Sequence, residues 1–277
     1  ATDSATIGEL NTPVRYLMGP GPSDVHPRVL RAMAQPLVGH LDPRFIQILK
    51  EVRELLQYVF QTRNEMTMAI SGTGSAGMET VVTNLVEPGD EVVIGVNGVF
   101  GGRMVDVATR AGARVERVDV LWGQPVRPEQ IADALKRCRK PKFVSVVHAE
   151  TSTGCRTPLE EIGRLAHDSG ALFLVDAVTS LGGIELKVDD WGIDAIYSGT
   201  QKCLSCPPGL SPVSFSDRAM EVIRSRRTKC QSWYLDISMI ASYWGEDRMY
   251  HHTAPISMVY ALRESLRLVR EEGLEAR

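Results

Sequence analysis

Two rhythms of hydrophobic and polar positions run along this chain. Between residues 42 and 60, apolar side chains recur at steps of three and four. Phe45, Leu49, Val52, Leu56 and Val59 fall on one face of a helix. Asp42 followed by Pro43 marks its start, because a carboxylate can accept from the first free N–H groups and proline has none to leave unpaired. From residue 66 the rhythm changes. Short apolar runs at 66–71, 91–96, 114–118, 142–148, 171–176, 194–198 and 212–215 predict seven strands, and the stretches 76–86, 102–111, 128–137 and 159–168 predict helices between them. Strands alternating with helices imply an α/β fold, a mostly parallel sheet covered by helices on both faces. Past Asp217 the strand pattern stops. A helix over 217–226, an aromatic stretch over 233–244 and a final helix over 255–272 come next, the last with Ile256, Val259, Leu262, Leu266 and Val269 on one face. The expected organisation is an N-terminal arm over 1–40, one large ligand-binding domain over 41–254 and a linking helix over 255–277.

Composition narrows the classes of function. The 277 residues are 43% apolar, enough to fill a large core, and the formal charge of −3 offers no field for nucleic acid or an anionic membrane. No apolar stretch reaches the roughly 20 residues of a membrane span. The first residues show neither a basic region nor an apolar run, so no signal peptide is expected. Five cysteines without framework spacing fit a reducing compartment such as the cytoplasm. Cys203 and Cys206 form a C-x-x-C, but no second pair or nearby His accompanies them, and two reduced thiols beside the 207–209 turn is the simpler reading.

Ligands of such sheets bind outside the carboxyl ends of the strands, so the residues just past each run carry the candidate chemistry. After the first run, Ser71-Gly72-Thr73-Gly74-Ser75-Ala76-Gly77 leads into a helix. Its glycines let backbone N–H groups approach an anion, and Thr73 and Ser75 add hydroxyl donors, which makes a phosphate cradle. The stretch also spells G-x-G-x-x-G, the dinucleotide fingerprint. Against that reading, the next run ends at Asn97 where a ribose-binding acid would stand, and the motif would lie on an inner strand behind a long helix. A purely structural glycine turn is the third alternative. Phe100 follows the second run and can stack on a flat ring or simply pack on its own helix. Thr151 follows the fourth and is a candidate donor to a ring hydroxyl, whereas His148 alone reads as a hydrogen-bonded core histidine. Asp176 ends the fifth run, where a carboxylate needs a cation or several donors, or serves as a cap. Lys202 stands just beyond the sixth, in Ser198-Gly199-Thr200-Gln201-Lys202. Each feature alone has a bland explanation. Together, one ligand at one sheet edge explains all five: pyridoxal 5'-phosphate, whose aldehyde forms a Schiff base with a lysine amine and whose ring nitrogen a carboxylate keeps protonated. The adjacent His251 and His252 raise the question of a metal, but neighbours in a regular element point apart and no other ligands cluster, so no metal is expected.

At these residues the sequence resembles the class V aminotransferases, fold type I enzymes of pyridoxal phosphate, and within them the alanine–glyoxylate and serine–pyruvate group. The matching stretches include Met18-Gly-Pro-Gly-Pro-Ser23, Ser71-Gly-Thr-Gly74, Glu150-Thr-Ser-Thr-Gly154, Ile196-Tyr197-Ser198-Gly-Thr-Gln-Lys202 and Met249-Tyr-His-His-Thr253, in family order through nearly the whole chain. The resemblance implies that Lys202 carries the cofactor and Asp176 pairs with its ring nitrogen. It implies that Thr73, Gly74, Ser75 and Gln201 hold the phosphate, that Phe100 stacks on the ring, that Thr151 touches its hydroxyl and that Val178 lies under it. Tyr250 and Thr253 would reach the phosphate of a neighbouring subunit, which implies a homodimer. Many relatives have Trp where Phe100 stands and His where Ser75 stands. The family also implies a small C-terminal domain of roughly a hundred residues, an ordinary domain size, with an Arg for the substrate carboxylate, and that domain is expected to be missing from this chain. The implied reaction moves an amino group between alanine or serine and glyoxylate or pyruvate, through the pyridoxamine form of the cofactor. The alternatives are another reaction of the family, such as a lyase on cysteine, or a cofactor-binding and dimerisation module without turnover.

Overall fold

The computed structural model describes residues 7–245 and 249–277. Helices α1 (Pro27–Met33) and α2 (Pro43–Phe60) precede β1 (Met66–Ser71), α3 (Gly74–Leu85), β2 (Glu91–Val96), α4 (Val99–Arg110), β3 (Arg114–Asp119), α5 (Pro128–Leu135) and β4 (Pro141–Val147). A two-residue pair, β5 (Ala149–Glu150) with β6 (Cys155–Arg156), then leads to α6 (Glu160–Asp168), β7 (Leu172–Asp176), β8 (Ala195–Tyr197), β9 (Leu210–Phe215), α7 (Asp217–Arg224), α8 (Ile237–Trp244) and α9 (Ile256–Glu272). All seven expected strands join one sheet in the order β1-β9-β8-β7-β4-β2-β3. Only β9 runs antiparallel, paired with β1 on one side and β8 on the other. β1 is thus an edge strand, not the inner strand expected for the glycine motif. Periodicity marks a strand but not its neighbours, so position in the sheet was not legible.

The chain crosses from β1 to β2 and on to β3, then returns through β4 and β7. Right-handed crossovers therefore put α3 and α4 on one face and α5 and α6 on the other. The contacts agree: α3 lies against α4 and α7, and α5 against α6. Because β9 alone is reversed, the carboxyl ends of β1, β2, β4, β7 and β8 all open on the same edge.

α2 begins as its sequence requires. The Asp42 side chain accepts from the Arg44 N–H at 2.7 Å, Pro43 takes the first position, and Phe45, Leu49, Val52, Leu56 and Val59 are buried. α9 lies against α2 and α1 and buries Val259, Leu262, Leu266 and Val269. Three elements were not foreseen. α1 is only seven residues long, α8 lies inside the aromatic stretch, and the β5–β6 pair has two residues a side, so none shows a readable period. α4 starts at Val99, which moves Phe100 from the expected loop into the first helical turn. Residues 7–26 form no helix or strand and expose Ile7, Leu10, Val14, Tyr16 and Met18.

Candidate active site

The cradle forms where β1 turns into α3. Thr73 is the N-cap residue but its hydroxyl makes no cap bond, and Thr73 and Ser75 are exposed while Gly74 is buried. Among the described residues the N–H groups of Gly74 and Ser75 are thus left for an anion, while that of Ala76 donates to the Thr73 carbonyl at 2.8 Å. α3 presses on the sheet at Gly77, where a Cβ would collide with Ser211 Oγ and come within 3.1 Å of Tyr197 Cβ. That closeness brings the cradle up to the turn after β8. A Cβ on Gly74 would stand 3.4 Å from Val178 Cγ2 and 3.5 Å from Gly199 Cα, and one on Gly199 would stand 2.9 Å from Gln201 Oε1. Gly74, Val178, Gly199 and Gln201 therefore stand together beside the first turn of α3. The buried Gln201 Oε1 has no partner among the described residues. An amide end left unpaired beside unpaired helix N–H groups suits an oxyanion once the amide is turned, since oxygen and nitrogen are assigned only by their partners.

Asp176, two residues before Val178, is 2% exposed. Its Oδ1 accepts from the Val178 N–H at 2.8 Å and its Oδ2 from the Tyr197 hydroxyl at 2.7 Å. Both donors are neutral. Burial pushes the carboxyl up to about 6, although Tyr197 and Val178 act to lower it. A buried carboxylate with two neutral donors still lacks a cation, and a protonated pyridine nitrogen is one. The residues present fit pyridoxal phosphate at both ends.

Two further candidates stand past neighbouring strands, Thr151 after β5 and Phe100 in the first turn of α4. Thr151 Oγ1 lies 2.6 Å from Thr179 Oγ1, which donates to the Ala149 carbonyl at 3.0 Å. Thr151 must then give its own proton to Thr179, which leaves it an acceptor instead of the expected donor. Phe100 is held by Glu150, a residue with no signal of its own in the sequence. Glu150 is 1% exposed; its Oε2 accepts from the N–H groups of Phe100 (3.1 Å) and Gly101 (3.2 Å), and its Oε1 from the N–H and hydroxyl of Ser152. A carboxylate from the β5 strand thus caps α4, whose own N-cap Gly98 has no side chain to do so. The guanidinium of Arg103 lies 4.9 Å from the centre of the Phe100 ring.

Lys202 reaches the same edge, but its side chain turns toward the N-terminal arm. Nζ donates to the Pro20 carbonyl at 3.1 Å, and an open cavity of about 590 Å³ lies there with Thr179, Cys203 and Arg277 on its walls. Ser23 ties the arm to this loop, its N–H donating to the Gln201 carbonyl at 2.9 Å. Tyr250 and Thr253 are exposed and 3.5 Å apart by their hydroxyls. Among the described residues, their stretch is hydrogen-bonded to the cradle strand through His252 Nε2, 2.7 Å from Ser71 Oγ.

Two expectations need correction. His148 is buried with neither ring nitrogen hydrogen-bonded, its ring edge-on to Trp191 at 5.9 Å, and burial lowers it to about 4, so it stays neutral. His251 and His252 do face each other, Nδ1 to Nδ1 at 2.7 Å. They sit outside any helix or strand, where alternation does not apply. Among the described residues no three His, Cys, Asp or Glu gather as a metal site. No helix of the described residues is long and apolar enough to cross a membrane.

An α/β sheet with an anion cradle, a buried carboxylate and a lysine at one edge defines a pyridoxal-phosphate transferase. The family model described as aminotransferase class-V matches residues 15–277, and the chain belongs to that family. It is similar to the (S)-ureidoglycine–glyoxylate transaminase of Bacillus subtilis, 45% identical across 97% of this chain and 69% of that protein. It is equally similar to the alanine–glyoxylate aminotransferase of Mus musculus, 45% identical across 96% of this chain and 65% of that one. Among solved structures, an alanine–glyoxylate aminotransferase from Nostoc sp. superposes with a TM-score of 0.96 at 51% identity, covering 98% of this chain and 71% of that one. The chain spans about two thirds of the length of these curated relatives. The cofactor of the family is pyridoxal 5'-phosphate.

Proposed function

We propose that the protein transfers an amino group from a small amino acid, alanine or serine, to glyoxylate or pyruvate. The observation that carries this reading is Asp176, a buried carboxylate supported only by neutral donors beside an anion cradle. Bound pyridoxal phosphate supplies an aldehyde that accepts an amino group and a ring that withdraws electrons from it. The N–H groups of the α3 first turn, the hydroxyls of Thr73 and Ser75, and Gln201 hold the phosphate. Val178 and Phe100 would bound the ring, and Thr151 would accept at its hydroxyl. Asp176 keeps a proton on the ring nitrogen. Lys202, released from Pro20, would hold the cofactor through Nζ and would serve as base and acid for the proton at the substrate Cα. Tyr250 and Thr253 serve the phosphate of a second copy. The exposed apolar residues Trp233 and Tyr234, which lie against His251 and His252, and the nearby Met249 and Tyr250 support a homodimer, since large exposed apolar side chains grouped together mark an interface. Within this reading residues 41–254 form the cofactor domain, 1–40 the arm and 255–277 the segment that leads toward the C-terminal part of the relatives. The five free cysteines fit the cytoplasm.

Glyoxylate is the substrate named for both groups of relatives, and only the donor differs between them. Ureidoglycine is therefore the second donor to try. The test is spectroscopic. The yellow holoprotein should bleach or shift with alanine and recover with glyoxylate, and borohydride should fix the cofactor on Lys202. A label on Lys187 or Lys229 would remove Lys202 from its role. A colour indifferent to all three donors, with cofactor bound, would leave a module that does not turn over.

A further inference from the structure

Asp176 and Tyr197 end adjacent parallel strands and stand directly opposite each other in the β7–β8 register. Tyr197 is fully buried, and its phenol has a single proton to give. A buried phenol must find an acceptor, whereas phenylalanine would fill nearly the same volume without that demand. Tyr197 spends its proton on Asp176 Oδ2 at 2.7 Å. Resting on the assignment of Asp176 to the ring nitrogen, we propose that Tyr197 is a positioning residue of the active site. Its hydroxyl clamps Oδ2 so that the carboxylate stays ionised and in a fixed plane while cofactor binds.

The groups around the carboxylate show why this contact decides its state. From its own loop Asp176 takes the Val178 N–H, a backbone donor that no side-chain change removes. Glu150, from β5, opposes ionisation, and the exposed Arg103, from α4, favours it weakly across the ring of Phe100. His148 gives Asp176 only its backbone N–H, to the main-chain carbonyl, while its neutral ring lies on Trp191. Burial works against the charge throughout. Among the described residues the Tyr197 hydroxyl is therefore the one side-chain donor that holds the anion. The same burial and the same anion drive the phenol well above its ordinary range, so Tyr197 keeps its proton and takes no part as a base.

Removing the hydroxyl should move a proton onto Asp176 that belongs on the cofactor. The test uses the cofactor-free chain, Tyr197→Phe, Asp176→Asn and the double variant. Infrared titration reads the protonated carboxyl stretch, and the part lost in Asp176→Asn belongs to Asp176. The expected midpoint is about 6 in the parent chain, and about tenfold higher in proton affinity in Tyr197→Phe, the fold-change that one hydrogen bond to a charged group represents. Placing 3-fluorotyrosine at position 197 keeps the ring and strengthens the donor, so the midpoint should fall. Cofactor affinity at pH 7, read by tryptophan fluorescence, should weaken about tenfold in Tyr197→Phe and no further in the Asp176→Asn background. An unmoved midpoint in both position-197 variants overturns the proposal, as does an equal loss of affinity with and without Asp176. If Asp176→Asn binds cofactor as tightly as the parent chain, the ring-nitrogen assignment fails, and the proposal falls with it. A moved midpoint would then still show the Tyr197–Asp176 coupling, which separates the two failures.

Discussion

Asp176 is held in a place that suits the cofactor better than it suits the protein alone. Its carboxyl is raised from the ordinary 3.8 to about 6 by burial, which corresponds to a cost of about 3 kcal/mol for ionising it in the folded chain. Between those values the folded chain keeps a proton that the unfolded chain has released. Its stability without cofactor should therefore fall as pH rises through that window and level off above it. Asp176→Asn removes the penalty. The cofactor-free variant should be more stable than its parent at pH 8 by up to about 3 kcal/mol and no more stable below pH 4, measured by urea midpoints. The same change should lower turnover by about a hundredfold or more, because an amide cannot hold the ring nitrogen charged. Equal midpoints at pH 8 together with full turnover would reduce Asp176 to a local cap. Asp176 and Lys202 were legible because each ends or follows an apolar run. Tyr197 was not, since it reads as one more apolar position until the register sets it opposite a carboxylate.

At the scale of elements, the placement of Phe100 depends on a contact between a strand end and a helix start. Glu150 fills the N-terminus of α4 from the neighbouring β5. Glu150→Ala would leave the N–H groups of Phe100, Gly101 and Ser152 without their acceptor, at a cost of about 2–4 kcal/mol. Cofactor affinity should fall as well, because the helix turn that carries Phe100 loses its anchor. Leu56→Ala in α2 is the comparison. It empties a fully buried site at a similar cost of about 2–5 kcal/mol, yet it should leave cofactor affinity unchanged. Matching affinity losses in the two variants would mean that affinity follows general stability, and Glu150 would have no local role. The helix starts and apolar faces of α2 and α9 were readable because a period of three to four residues persists for several turns. The cap on α4 was not, since its donor and acceptor lie 49 and 50 residues apart in sequence.

For the whole molecule, the open question is where Tyr250 and Thr253 act. Both are exposed, bonded to each other, and linked to the cradle strand through His252. If they serve the partner's phosphate, Thr253→Asp should disable the partner's site by bringing a second anion to the cradle. Lys202→Ala disables its own. Unfolded and refolded together, the two inactive variants should yield mixed dimers with one intact site and one doubly damaged site, and up to half the activity of each mixed dimer should return. Mixed dimers proved by mass but inactive would place Thr253 in its own subunit's site.

The local grammar of this chain determined its seven strands, most of its helices and the residues at the strand ends, because backbone periodicity and turn chemistry act over a few residues. It also determined the family, since the motifs beyond the strands are short and ordered. Tertiary structure alone decided that β9 runs backwards at the second place in the sheet, that α3 closes on β8 at Gly77, and that Lys202 lies against the N-terminal arm. It alone paired Tyr197 with Asp176 and Glu150 with α4. Those contacts join residues distant in sequence, and they form only when the sheet orders its strands and buries the charges between them.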